Sequence, residues 1–153
     1  MPETLRFILD GRPFEASVEP ATPLVSVLQE GCGVRVACAR AVCGACTVLI
    51  DGLPAASCAV FAFQAEGTRI ETVRGLTQDG VPHPLQRAFA RHSAFQCGYC
   101  TAGFLMLAKA LLDTHPRPDR ATITEWLSSN FCRCTGYATM IEAVEEAALE
   151  MAP

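Results

Sequence analysis

The chain has 153 residues, a formal net charge of −4 and only 18% charged residues. That length holds one ordinary domain or two small ones, and an acidic balance with no basic run excludes nucleic acid as the main ligand. Half of the residues are apolar, with a mean hydropathy of +0.25, which favours a protein that covers surface with partners. The opening "MPETLRFILDGR" sets an acid and an arginine where a secretory leader needs an unbroken apolar stretch. The expectation is a mature protein that begins here and stays in the cytoplasm. The greasiest helical run, "FLMLAKALL", is short and carries Lys109, so no membrane span of about 20 apolar residues is expected.

Residues 4 to 76 read as strands with one helix. Leu5, Phe7 and Leu9 alternate up to Asp10-Gly11, and Phe14, Ala16 and Val18 alternate after it; Asp-Gly supplies the positive φ angles of a tight hairpin. "TPLVSVLQE" predicts a helix capped by Thr22 with Pro23 at its first position. A second hairpin turns at Asp51-Gly52, and "TRIETVRGL" predicts a last strand with Ile70 and Val73 as its larger apolar residues.

After "RGLTQDGVPHP" the pattern becomes helical. Leu85 and Phe89 stand four apart, and Phe104, Leu107, Ala108 and Leu111 share one face of a helix that Pro116 and Pro118 end. Thr122 with Glu125, ahead of Trp126 and Leu127, and Thr139 with Glu142 both have capping-box spacing. Ile141, Val144 and Leu149 mark the last helix. The fold class expected is α+β: residues 1–76 as a strand-rich domain and 77–153 as a helical domain whose four helices bury a bundle core, with the boundary near residues 74 to 83.

Nine cysteines in a chain expected in a reducing compartment point to metal binding, since disulfides do not persist there. Cys38, Cys43 and Cys46 stand at C-x4-C-x2-C with Cys58 downstream, the plant-type [2Fe–2S] spacing. Two irons bridged by two sulfides need two thiolates each, so a loop has to wrap the cluster and aim its sulfurs inward. Its backbone N–H groups, around Gly44 and Ala45, can donate to the sulfurs. Zinc more often takes two short knuckles. Cys97 and Cys100 in "QCGYC", with Cys132 and Cys134 in "NFCRC", supply a second set of four. C-x2-C alone is shared with redox dithiols and zinc knuckles, whereas C-x-C is uncommon in the latter. Cys32 is left over and reads as a buried thiol outside both sets.

"CGACTVLIDG", "FQCGYCTAGF" and "NFCRCTGY" resemble the small iron–sulfur subunit of the molybdenum hydroxylases. That family includes xanthine oxidase, aerobic carbon monoxide dehydrogenases, and bacterial aldehyde, nicotinate and isoquinoline dehydrogenases. The resemblance covers almost the whole chain. It implies a β-grasp ferredoxin domain followed by a four-helix bundle, each with one [2Fe–2S] cluster. It places Cys38, Cys43, Cys46 and Cys58 around an outer cluster and Cys97, Cys100, Cys132 and Cys134 around an inner one. It also sets Gln96 and Cys134 against a molybdopterin cofactor held by a large partner subunit, with FAD in a medium subunit. One departure stands out: Ala37, Ala39 and Ala41 occupy places where many members carry glycine. If residue 41 has positive φ, alanine there costs about 1 kcal/mol or more.

His83, His92 and His115 show no ligand spacing and read as surface or linker residues; Trp126 reads as core or interface, and Arg133 is open between offsetting cluster charge and facing solvent. No nucleotide-binding glycine fingerprint follows a strand, and no nucleophile–base arrangement is visible. The function expected is therefore electron transfer within a multi-subunit molybdenum hydroxylase acting on an aldehyde, an N-heterocycle or carbon monoxide. A free-standing two-cluster ferredoxin-type shuttle is the alternative, and a zinc-stabilised interaction module a third reading.

Overall fold

The computed structural model describes residues 1–29 and 31–152. Five strands form one mixed sheet: β1 (Glu3–Leu9), β2 (Arg12–Val18), β3 (Thr47–Ile50), β4 (Leu53–Ala56) and β5 (Arg69–Glu71), in the order β2-β1-β5-β3-β4. Both Asp-Gly hairpins form, pairing β1 with β2 and β3 with β4 antiparallel, and Asp10 and Asp51 take positive φ. β5 joins the hairpins, parallel to β1 and antiparallel to β3. Asp10 accepts from both the N–H and the hydroxyl of buried Thr72 at 2.7 Å, fixing the chain as it leaves β5.

Five α-helices complete an α+β fold: α1 (Leu24–Leu28), α2 (Pro84–Arg91), α3 (Thr101–Thr114), α4 (Arg120–Leu127) and α5 (Ala138–Met151). α2 packs on α3 and α5, and α4 packs on α3 and α5. Arg87 pairs with Glu150, and Arg91 and His92 with Glu146, across the α2–α5 seam.

There are two buried apolar clusters. One is drawn from the strands, α1 and the loops beside them, with Leu5, Phe7, Leu24, Leu28, Val48 and Ile70. The other centres on the helices, with Leu85, Phe89, Phe104, Leu111, Ile123 and Val144. β3 separates them. Because side chains alternate along a strand, Val48 enters the first cluster and Leu49 the second, both at 0% exposure. The strand that begins one residue after Cys46 is thereby covered on both faces, a rigid base for that cysteine.

Several expected details differ. α1 is capped at Pro23, not Thr22, with no side-chain bond; the Thr22 carbonyl instead accepts from Ala62. α4 begins two residues before Thr122, because Asp119 caps it by accepting the Thr122 N–H at 2.8 Å. α5 is led by Tyr137 at φ 70° rather than by a Thr139–Glu142 box. β5 stops at Glu71, and Val73 packs on the helical cluster instead. Leu149 is 81% exposed, on the outer side of α5 relative to Val144.

Candidate metal centres

The two cysteine sets form at the same side of the sheet–helix junction. The outer set lies on the irregular segment ahead of β3, with Cys58 in a 3-10 turn (Ser57–Ala59) directly after β4. Ser57 holds that turn to the loop, donating from Oγ to the Cys46 carbonyl at 2.7 Å. Backbone N–H groups converge on sulfur. Those of Arg40, Val42 and Cys43 each reach Cys38 Sγ at 3.4 Å, and that of Ala41 reaches Cys58 Sγ at 3.2 Å.

Ala39 and Ala41 make this convergence possible by taking φ 52° and 56°. Alternating left-handed and right-handed residues turn successive N–H groups to one side, a concavity suited to anions. Ala37 is not in that region. The N–H groups of Cys43, Arg40 and Val42, in that order of effect, pull the Cys38 thiol down to about 6. Burial pushes Cys58 up.

The inner set is assembled from three helix ends. Cys100 is the residue before α3, Cys97 lies three earlier, and Cys132 and Cys134 occupy the connection from α4 to α5. Cys97 and Cys134 Sγ atoms are 3.7 Å apart. Cys132 Sγ accepts from the Thr135 hydroxyl at 3.2 Å and the Cys134 N–H at 3.4 Å. Burial raises Cys132, but these donors outweigh it and its pKa falls; burial raises Cys100 to about 12.

The thiols meet in pairs: Cys38 with Cys43, Cys46 with Cys58, Cys97 with Cys134, and Cys100 with Cys132. Among the described residues, no three Cys, His, Asp or Glu side chains are arranged around a single metal ion. Thr101 adds a further sign of fit. Its Oγ1 is buried without a partner, an unspent donor one residue from Cys100. Paired thiols and N–H groups aimed at sulfur at each site, with this idle hydroxyl at the inner one, fit a two-iron cluster.

Gln96 donates from Nε2 to the Cys134 carbonyl at 2.9 Å, so the structure does bring these two residues together. Phe95, Tyr99 and Phe131 expose 42%, 46% and 61% of their surface around them. Cys32 lies in the strand-side apolar cluster, its thiol raised chiefly by burial. His83 is no bystander: it caps α2, with Nδ1 accepting the Leu85 N–H at 3.2 Å. His115 meets Trp126 edge-on.

Four residues that sequence reasoning passed over, Tyr99, Gly103, Asn130 and Phe131, meet Gly44 and its neighbours and join the two sites. The Phe131 N–H donates to the Cys43 carbonyl at 2.9 Å. Asn130, 4% exposed, donates from Nδ2 to the Gly44 carbonyl at 3.2 Å, and Tyr99 Oη donates to the Val36 carbonyl at 2.6 Å. A Cβ on Gly44 would strike Asn130 Oδ1 at 1.7 Å, and one on Gly103 would strike the Gly44 oxygen at 2.1 Å. Only Gly103 carried a signal: glycine within a helix costs about 1 kcal/mol against alanine, so its presence marks a close approach.

The chain matches two family models, "2Fe-2S iron-sulfur cluster binding domain" over residues 7–72 and "[2Fe-2S] binding domain" over residues 72–145. It is 46% identical to the 6-hydroxypseudooxynicotine dehydrogenase complex subunit beta of Paenarthrobacter nicotinovorans, across 91% of this chain and 89% of that one. It is 42% identical to the nicotinate dehydrogenase small FeS subunit of Eubacterium barkeri, across 94% of each. A chain in the crystal structure of quinoline 2-oxidoreductase from Pseudomonas putida 86 superposes with a TM-score of 0.94 at 44% identity, covering 97% of this chain and 94% of that one.

Proposed function

Because this chain belongs to the family of small [2Fe–2S] subunits of the molybdenum hydroxylases, we propose that its two cysteine sets hold the two clusters of an electron relay. Cys38, Cys43, Cys46 and Cys58 hold the outer cluster, and Cys97, Cys100, Cys132 and Cys134 the inner one. When bound, the clusters supply one-electron chemistry, passing electrons from a molybdopterin site in a large subunit to FAD or another acceptor while an aldehyde, an N-heterocycle or carbon monoxide is oxidised. The observation that carries this reading is the pairing of eight thiols into two sets of four, with backbone N–H groups donating to sulfur in each.

The chain's own residues bind, space and shield. β3 and the Ser57 bond fix the Cys46 end of the outer loop, and α3 fixes the approach of Cys100. The Cys43 carbonyl accepts the N–H of Phe131, the residue before Cys132, so one hydrogen bond joins an outer-set cysteine to an inner-set segment. The pairing of Gln96 with Cys134 supports a contact of both with the molybdopterin of the large subunit. Three exposed aromatic residues on the inner-cysteine segments, Phe95, Tyr99 and Phe131, support a partner surface there. It speaks against the free shuttle. A medium FAD subunit as the acceptor is inferred from the family. The separate apolar clusters support two units, a β-grasp ferredoxin domain over 1–76 and a four-helix bundle over 77–153. No helix among the described residues is long and apolar enough to cross a membrane, and a cytoplasmic location accords with two sets of four cysteines that must stay reduced to serve as ligands.

The test is anaerobic purification with analysis of iron, acid-labile sulfide and zinc, and EPR after reduction. About four irons and four sulfides per chain with two distinct rhombic signals are expected. A colourless protein with one or two zincs would return the chain to the interaction module.

A further inference from the structure

The outer-cysteine loop is poorly supported by its own backbone. Residues 34 to 43 contain no helix or strand, and Ala39 and Ala41 sit in the left-handed region, where an L-residue is strained. Three bonds from the helical half hold it. Tyr99, between Cys97 and Cys100, donates to the Val36 carbonyl two residues before Cys38. Phe131, beside Cys132, donates to the carbonyl of Cys43. Asn130 donates to the Gly44 carbonyl and lies 3.5 Å from Thr47 Oγ1.

All three donors stand on irregular backbone belonging to the inner-cysteine segments, ahead of α3 and between α4 and α5. Fixing such backbone costs conformational entropy. The Leu127 carbonyl at the end of α4 accepts the Asn130 N–H at 3.2 Å, and the rest is held by Cys97 against Cys134, Cys100 against Cys132, and the Tyr137 hydroxyl, which accepts the Cys132 N–H at 3.0 Å. Pinning the four inner thiols at one site therefore also sets the three donors against the outer loop.

We infer that loading the inner cysteine site organises the outer one, with Tyr99, Asn130 and Phe131 as positioning residues that make cluster retention at the two sites cooperative. The inference rests on the two-cluster reading. Because coupling between binding sites is reciprocal, loss of the outer cluster equally loosens the inner. Within this chain the coupling has a simple origin. The loop with alanines in the left-handed region does not hold its shape alone, and the groups that hold it are ordered by the other site.

The experiment uses the whole chain, purified anaerobically with any subunits that accompany it, under an iron-chelator challenge followed by EPR. Cys58→Ser first assigns the outer signal. Tyr99→Phe removes one hydroxyl and no cysteine; its outer signal should decay about five-fold faster than wild type, the effect of one neutral hydrogen bond. Cys97→Ala, which deletes an inner thiol, should lower outer-cluster occupancy as well as inner. Outer retention equal to wild type in either variant overturns the coupling while leaving the relay intact. A wild-type chain without two clusters overturns the relay reading itself, and the coupling with it.

Discussion

Gly103, in the first turn of α3, lies so close to Gly44 that a Cβ at 103 would come within 2.1 Å of the Gly44 carbonyl oxygen. The contact joins the helix that begins beside an inner cysteine to the loop that carries the outer three. It also explains why a helix otherwise rich in leucine and alanine has a glycine there. The same carbonyl accepts from Asn130 and from the Thr47 hydroxyl, so it cannot move aside without breaking both bonds.

Gly103→Ala is expected to destabilise the protein by about 1–3 kcal/mol, the cost of overpacking a rigid contact. Helix propensity alone predicts a gain of about 1 kcal/mol, so the sign decides. A denaturation midpoint that rises in this variant would refute the close approach.

Ala41→Gly is expected to stabilise by up to about 1 kcal/mol, by removing the clash of Cβ in the left-handed region. Ala37→Gly, outside that region, should instead lose about 0.5–1 kcal/mol to added freedom of the unfolded chain. Thermal unfolding of the two variants in parallel gives opposite shifts if the loop has the described backbone, and shifts of the same sign if it does not.

His83 makes stability sensitive to mild acid. Its Nδ1 must be unprotonated to accept from Leu85, and burial holds its pKa below the usual 6.5. The unfolded chain therefore takes up the proton more readily. The contribution is complete above pH 6.5 and declines as pH falls below it toward the folded value. His83→Asn keeps a capping oxygen without titrating, so its stability should be flat between pH 7 and 5.5 apart from changes shared with wild type. Equal acid sensitivity in both proteins would remove His83 as the cause.

Gln96→Ala should leave both EPR signals in place, because Gln96 is no thiol ligand and is bonded only to the Cys134 carbonyl among the contacts described. Turnover of the holoenzyme, or assembly with the large subunit, should fall several-fold. Full turnover with normal assembly would leave the contact with the molybdopterin unsupported.

Much of the cysteine grouping was legible in the chain. C-x4-C-x2-C and the C-x2-C and C-x-C dyads state which thiols belong to a set, because a two-iron cluster demands four sulfurs from short, closely spaced segments. Asp10-Gly11 and Asp51-Gly52 named both hairpins, since their positive φ angles are a local property. Helix starts were less legible: Thr122 and Thr139 had the spacing of caps, but Asp119 and Tyr137 stand at those positions. Capping is decided by where the chain enters the helix, and that depends on packing.

The spacing of the cysteines, their grouping into two sets and the change from strands to helices are written in the chain. Only the tertiary structure decided how the two sites meet. Gly44, Gly103, Asn130, Tyr99 and the Val36 carbonyl are far apart in the chain, and no periodicity or spacing links them. Their juxtaposition follows from β3 being covered on both faces, which sets α3 against the sheet and so sets one cysteine loop on the other.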